Sequence, residues 1–220
     1  MTSDTKDIKA VIFDMDGVIL DSESISKKSW FMAGKDFDLP EEEILLAFEK
    51  STGCNRLDTQ LFFTRMFGEK IDYNIFHEKC SFYFDEIAAK NGIPLMKNAA
   101  EILQYLKPKY RIALASSTTA DRVVPQLTAV NVIDFFEVLV TGDMVKHSKP
   151  NPEIYLKACA ELGINPENCA AVEDSPNGIT SAFSAGLNCI MVPDQIPADK
   201  QIKKTLWKEC KDLGQLKSFL

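Results

Sequence analysis

A doubly wound parallel α/β sheet carrying an inserted bundle of helices is the fold this sequence predicts, and two observations predict it. Short apolar runs alternate with amphipathic stretches of helical length, the pattern of strands joined by helices that wrap both faces of a parallel sheet. Between residues 21 and 94 that alternation gives way to aromatics and leucines at helical spacing, with no convincing strand. The expected division is an α/β core, residues 1–20 and 95–220, and a helical insert, residues 21–94.

Taken in order, Ala10 to Phe13 reads as the first strand, a continuous apolar run that suits a strand buried on both faces. The insert fills Ser22 to about Asn91, where Leu57, Leu61 and Met66, and then Phe76, Phe82, Phe84 and Ile87, suggest about four helices. It follows the acidic turn after the first strand directly, so it is expected to roof that turn. Trp30, Phe31, Phe62, Phe63 and Phe67 read as bundle core in preference to a sugar-stacking surface. The core then resumes with a helix at Ala99 to Leu106, a strand at Arg111 to Ala115 and a helix at Asp121 to Val130. A strand near Val138 to Val140 and a helix from Pro152 to Leu162 come next. A strand at Ala170 to Val172, a helix from Pro176 to Ala185 and a strand at Asn188 to Val192 complete the pattern.

Composition bounds the function. At 220 residues with 45% hydrophobic content, the chain can bury a substantial core. A formal charge of −7 argues against nucleic acid or an anionic membrane as the main partner, since both favour a basic face. Six cysteines without a C-x-x-C pair, and lone histidines at His77 and His147, argue against a zinc site or a disulfide framework. The polar stretch from Met1 to Lys9 has no apolar signal region, and no run approaches the roughly 18 apolar residues of a membrane span. A cytoplasmic monomer acting on a small molecule is the expectation.

In open parallel sheets ligands collect at the carboxyl ends of the strands, so what each strand delivers there matters most. The first ends in Asp14-Met15-Asp16-Gly17: two carboxylates one residue apart, then a glycine that lets the chain turn back over the same pocket. Asp14, pinned at a strand end, is a candidate nucleophile and Mg²⁺ ligand. The second strand delivers Ser116-Ser117-Thr118-Thr119 before a helix, where hydroxyls and backbone N–H groups can hold an anion. The same run is also an ordinary helix cap. The third leads to Lys149 in the constrained loop Lys149-Pro150-Asn151-Pro152, in which Asn151 can cap and Pro152 can open a helix. The fourth ends in Glu173-Asp174-Ser175-Pro176. Asp14, Asp16, Glu173 and Asp174 together repel one another unless a cation is present, and oxygen ligands alone select Mg²⁺ over zinc.

Asp14-x-Asp16-Gly17-Val18, then Ser116, then Lys149-Pro150, then Glu173-Asp174 resembles the four ordered motifs of the haloacid dehalogenase-like (HAD) hydrolase superfamily. The likeness runs from Lys9 to about Pro193, and the insert resembles that of members with a small α-helical cap over a Rossmann-like core. The resemblance implies that Asp14 attacks phosphorus to give an aspartyl phosphate. Asp16 would protonate the leaving group and then deprotonate water. It further implies that Ser116 and the Ser117 N–H hold the phosphoryl oxygens, with Thr118 beside the substrate, and that Lys149 neutralises charge between phosphate and Asp14. Mg²⁺ would be held by the Asp14 carboxylate, the Asp16 backbone carbonyl and Asp174, with Glu173 beside it directly or through water.

Substrate choice would fall to the insert. Gly53-Cys54-Asn55-Arg56-Leu57-Asp58 resembles the loop that brings an arginine to the substrate in β-phosphoglucomutase-like members, which makes Arg56 the candidate specificity residue. Other positions depart from the mutase pattern. Ser26 stands where a histidine is frequent, Thr118-Thr119 replaces a serine and lysine, and Lys97-Asn98 replaces the usual Pro-Gly pair. Hydrolysis of a small phosphorylated metabolite is therefore the primary expectation, with a sugar phosphate one candidate among such metabolites. A sugar phosphomutase is the alternative, and a non-catalytic phosphate-binding protein is the alternative of another class.

Overall fold

The structure, a computed structural model, describes residues 6–51, 56–68, 71–194 and 196–220, with the backbone alone at residues 56–58. In chain order, β1 (Ala10–Phe13) is followed by α1 (Ser22–Asp36), α2 (Glu41–Ser51), α3 (Arg56–Phe67) and α4 (Tyr73–Asn91). Then come α5 (Ala99–Leu106), β2 (Arg111–Ala115), α6 (Ala120–Ala129), β3 (Val138–Val140) and α7 (Glu153–Leu162). The chain continues through β4 (Cys169–Glu173), α8 (Pro176–Ser184), β5 (Asn188–Met191) and β6 (Leu206–Glu209), ending in a 3-10 turn at Leu213–Ser218. It divides into two compact units, residues 1–20 with 94–220, and residues 21–93.

The first unit is a six-stranded sheet in the order β3-β2-β1-β4-β5-β6, parallel at every pairing. β1 lies near the middle with all four residues buried, which is why its sequence is apolar without alternation. Register aligns Phe13 with Leu114 on one side and Val172 on the other, so β1, β2 and β4 end at the same level. One face is built from Ala10, Ile12, Ala113, Ala115, Cys169 and Ala171, packed on Ile154, Tyr155, Ala158 and Leu162 of α7 and Ile179 and Ala182 of α8. Small residues dominate the sheet side of that interface, which lets a tyrosine pack against it. The first turn of α8 is fixed by the Ser175 hydroxyl, which accepts from Gly178 N–H at 3.2 Å, and by Pro176 at the first helical position.

β6 is the element that periodicity did not predict. It carries Lys208 and Glu209 and is only half-buried at Leu206, Trp207 and Lys208, as suits an edge strand, so no apolar run announces it. β4 reaches one residue further than expected at each end, which makes Glu173 a strand residue with its backbone in the ladder to β5.

The second unit is a four-helix bundle in which α1 packs on α4 and α2, and α2 on α3. Its centre holds Ala33, Phe63, Tyr73, Phe76 and Cys80, with Trp30 and Phe67 against them. Trp30 meets Phe76 edge-on at a centroid distance of 5.2 Å, and Phe63 lies 4.5 Å from Phe76. Phe31 and Phe62 are half-buried. Asp36 joins α1 to α4 by accepting from the Tyr83 hydroxyl at 2.9 Å and pairing with Lys79 at 2.9 Å. Among the described residues, no helix is long and apolar enough to cross a membrane.

Candidate active site

The pleat and register dictate which side chains meet. Asp14 continues the row Ala10–Ile12, and Glu173 continues the row Cys169–Ala171, on the face covered by α7 and α8. Asp14 N–H donates to Val172 O at 3.0 Å, carrying the β1–β4 ladder one step beyond the strand and setting Asp14 next to Glu173. Ser116 is anchored in the same way, its N–H on Val140 O at 3.0 Å.

Lys149 enters this corner from the loop after β3. Its ammonium donates to Asp14 Oδ1 at 2.6 Å, to Glu173 Oε1 at 2.6 Å and to the Ala115 carbonyl at 2.9 Å, which engages all three of its N–H groups. The loop that delivers it is itself tied down. Glu153 accepts from the N–H groups of Lys146 and His147, Asn151 Oδ1 accepts from Glu153 N–H, and Ser181 Oγ donates to the Asn151 carbonyl. Asn151 thus caps as its sequence position suggested, while Pro152 stands at the cap position itself, one residue before the helix. Glu173 is fully buried, and it accepts a further bond from the Tyr155 hydroxyl at 2.7 Å and one from Ser175 Oγ on Oε2 at 3.2 Å.

Burial is the main reason the Asp14 carboxyl is pushed up to about 7; Glu173 and Asp16 add to the shift, and Lys149 opposes it. For Lys149 the balance runs the other way. Burial disfavours its charge, but the adjacent Asp14 and Glu173 outweigh that and hold the ammonium above the usual lysine range. Burial also keeps the Tyr155 hydroxyl protonated, with Glu173 and Asp14 adding to the effect, so it serves as a donor.

Asp16 takes a different direction. Gly17, at φ +75°, turns the chain so that Asp16 is half-exposed, and its Oδ2 accepts from the Thr118 hydroxyl at 2.9 Å. A side chain on Gly17 would collide with the Asp174 carboxylate, which shows how closely the turn after β1 presses on the end of β4. The loop after β2 is compact: Ser116 Oγ accepts from Thr118 N–H at 3.1 Å, Ser116 is buried and Ser117 is exposed. The helix that follows starts at Ala120, one residue earlier than the sequence pattern predicted. Its Ala120 N–H donates to Asp143 Oδ1 at 2.9 Å.

Among the described residues, Asp14, Glu173 and Asp174 offer carboxylate oxygens that all lie within 4.8 Å of one another. Three carboxylates against one ammonium leave net negative charge in a largely buried corner, and a set of hard oxygen donors fits Mg²⁺. The Asp16 side chain is outside that cluster. Arg56 is the first residue of α3, and its side chain, like the loop residues 53–55, lies outside the described residues. Sequence reasoning missed Tyr155, although the spacing Tyr155, Ala158, Cys159, Leu162 marks an inward helix face on which it alone carries a hydroxyl.

A family model for haloacid dehalogenase-like hydrolase matches residues 8–186, and the chain belongs to that family. It is 31% identical over 188 residues to the phosphorylated carbohydrates phosphatase of Thermotoga maritima, covering 83% of this chain and 84% of the relative. It is 30% identical over 209 residues to the β-phosphoglucomutase of Bacillus subtilis, covering 90% of each. Among solved structures, CbbY of Rhodobacter sphaeroides in complex with phosphate superposes with a TM-score of 0.73 at 25% identity, covering 95% of this chain and 96% of that one.

Proposed function

We propose that the chain is a Mg²⁺-dependent phosphomonoester hydrolase that acts on a small phosphorylated carbohydrate through an aspartyl phosphate. The observation that carries this reading is the Lys149 ammonium held at 2.6 Å on Asp14 Oδ1 and at 2.6 Å on Glu173 Oε1. It places a fixed cation beside a carboxylate oxygen at a strand tip, which is what attack by one anion on another requires. The Thermotoga relative, named as a phosphatase of phosphorylated carbohydrates, and the phosphate-bound CbbY structure support the substrate class.

In the first half-reaction an Asp14 carboxylate oxygen forms a bond to phosphorus while the ester P–O bond breaks in line, and Asp16 gives its proton to the departing alkoxide. In the second, Asp16 takes a proton from water as that water attacks phosphorus, which releases inorganic phosphate and restores Asp14. Lys149 offsets the charge that builds between Asp14 and the phosphoryl oxygens, and Ser116 with the Ser117 N–H orients those oxygens. Mg²⁺ would be held by Asp14, Asp174 and the Asp16 carbonyl, with Glu173 alongside, and when bound it supplies positive charge to the equatorial oxygens. Proton transfer by a placed carboxylate contributes roughly 10²–10⁴ in rate.

The test is Mg²⁺-dependent release of phosphate from p-nitrophenyl phosphate and from a panel of sugar phosphates. Chelator and Asp14→Asn should each abolish it, and retained turnover in Asp14→Asn would end the covalent reading. A mutase activity is the second reading, favoured by the Bacillus relative. Formation of glucose 6-phosphate from β-glucose 1-phosphate with glucose 1,6-bisphosphate would establish it.

A further inference from the structure

The Lys149 ammonium is held by three acceptors of unequal rigidity. Asp14 Oδ1 follows from the end of β1, and the Ala115 oxygen is backbone of β2. Glu173 Oε1 belongs to a side chain with three rotatable bonds, and a cation is only as fixed as the acceptor that holds it. Two hydroxyls remove that freedom. Tyr155 donates to Oε1 at 2.7 Å from one side, and Ser175 reaches Oε2 at the longer distance of 3.2 Å.

We propose that Tyr155 is a positioning residue whose hydroxyl locks Glu173 Oε1 so that the Lys149 ammonium is held on Asp14. Tyr155 is wholly buried on α7 among alanines and isoleucines, where packing alone would be served as well by phenylalanine. Its hydroxyl is satisfied by a carboxylate oxygen that also takes the lysine, so one atom couples helix α7 to the strand-tip cation. The ring contributes separately, with the ammonium 5.2 Å from its centroid, and removing the oxygen alone leaves that contact in place. Tyr155 never touches substrate in this scheme; it acts through Glu173 and Lys149. The inference rests on the reading of Asp14 and Lys149 as reaction machinery, and its test is divided accordingly.

Tyr155→Phe should lower kcat for p-nitrophenyl phosphate roughly 10-fold, because a small loss of placement near the chemistry is costly, while KM and the Mg²⁺ concentration for half-maximal rate stay within about twofold. Lys149 ammonium protons, observed by ¹H–¹⁵N correlation of the metal-free protein, should exchange slowly in the wild type and quickly in the variant. Unchanged kcat, or KM, kcat and thermal midpoint declining together, would overturn the proposal. A fast-exchanging Lys149 ammonium in the wild type would do so as well, whatever the variant's folding. If the wild type turns over no phosphoester, the hydrolase reading fails and the ammonium spectra still decide the role of Tyr155.

Discussion

The Thr118 hydroxyl donates to Asp16 Oδ2 at 2.9 Å, joining the loops after β2 and β1 across 102 residues of chain. Thr118 thereby binds the carboxylate proposed to move protons. Thr118→Val should reduce kcat about 10-fold with KM nearly unchanged, because a misdirected acid–base group slows the chemical step. Thr118→Ser should retain most of the rate. Steady-state kinetics on the two variants check this.

Lys149 is the group whose loss should be felt twice. Its side chain is 8% exposed between Asp14 and Glu173, at 11% and 0%. Lys149→Met leaves two buried carboxylates facing each other without their cation, which should cost about 3–5 kcal/mol of stability and remove turnover. Urea denaturation in chelator measures the first effect and phosphate release the second.

Mg²⁺ should raise the thermal midpoint. At 100 times its dissociation constant, a ligand that binds only the folded state adds about 2.7 kcal/mol. Asp174→Asn should largely abolish the shift, while Asp16→Asn, which keeps its backbone carbonyl, should preserve most of it. Differential scanning fluorimetry with and without Mg²⁺ separates the two.

Gly178 packs directly under Glu173, and a Cβ there would collide with the Glu173 carboxyl group. Gly178→Ala should destabilise the protein by about 1–3 kcal/mol through overpacking and also lower kcat, since the carboxylate must leave Lys149 and Tyr155 to make room. Equilibrium unfolding and kinetics of the single variant test both parts.

Burial, first among the causes, pushes the Cys80 and Cys189 thiols up to about 12 and Cys210 to about 11, from an ordinary 9.0. The folded protein keeps these protons where the unfolded chain would lose them. The associated stability is therefore complete below pH 9 and declines as pH rises toward 11–12. Denaturation midpoints at successive pH values above 8 should fall, and iodoacetamide at pH 8 should modify these thiols in denaturant far faster than in the native state.

The sheet was legible because its central strands β1, β2 and β4 are apolar runs with a charged or hydroxylated residue at the carboxyl end. Ala10–Phe13 before Asp14 and Ala170–Val172 before Glu173 each state a strand and a site in one segment. β6 was not legible, since an edge strand needs no apolar face. The bonds from Tyr155 to Glu173 and from the Ala120 N–H to Asp143 were invisible for another reason. They pair side chains with partners 18 and 23 residues away, and which partner a polar group finds is set by register and not by local pattern.

Glu173 ends β4, and Asp14 and Ser116 directly follow β1 and β2, three adjacent inner members of a sheet whose outermost strands are β3 and β6. Fraying that begins at either margin must cross a whole strand before it reaches them. Catalytic competence and the last surviving amide protection should therefore disappear in a single cooperative event, leaving no inactive form with its centre intact.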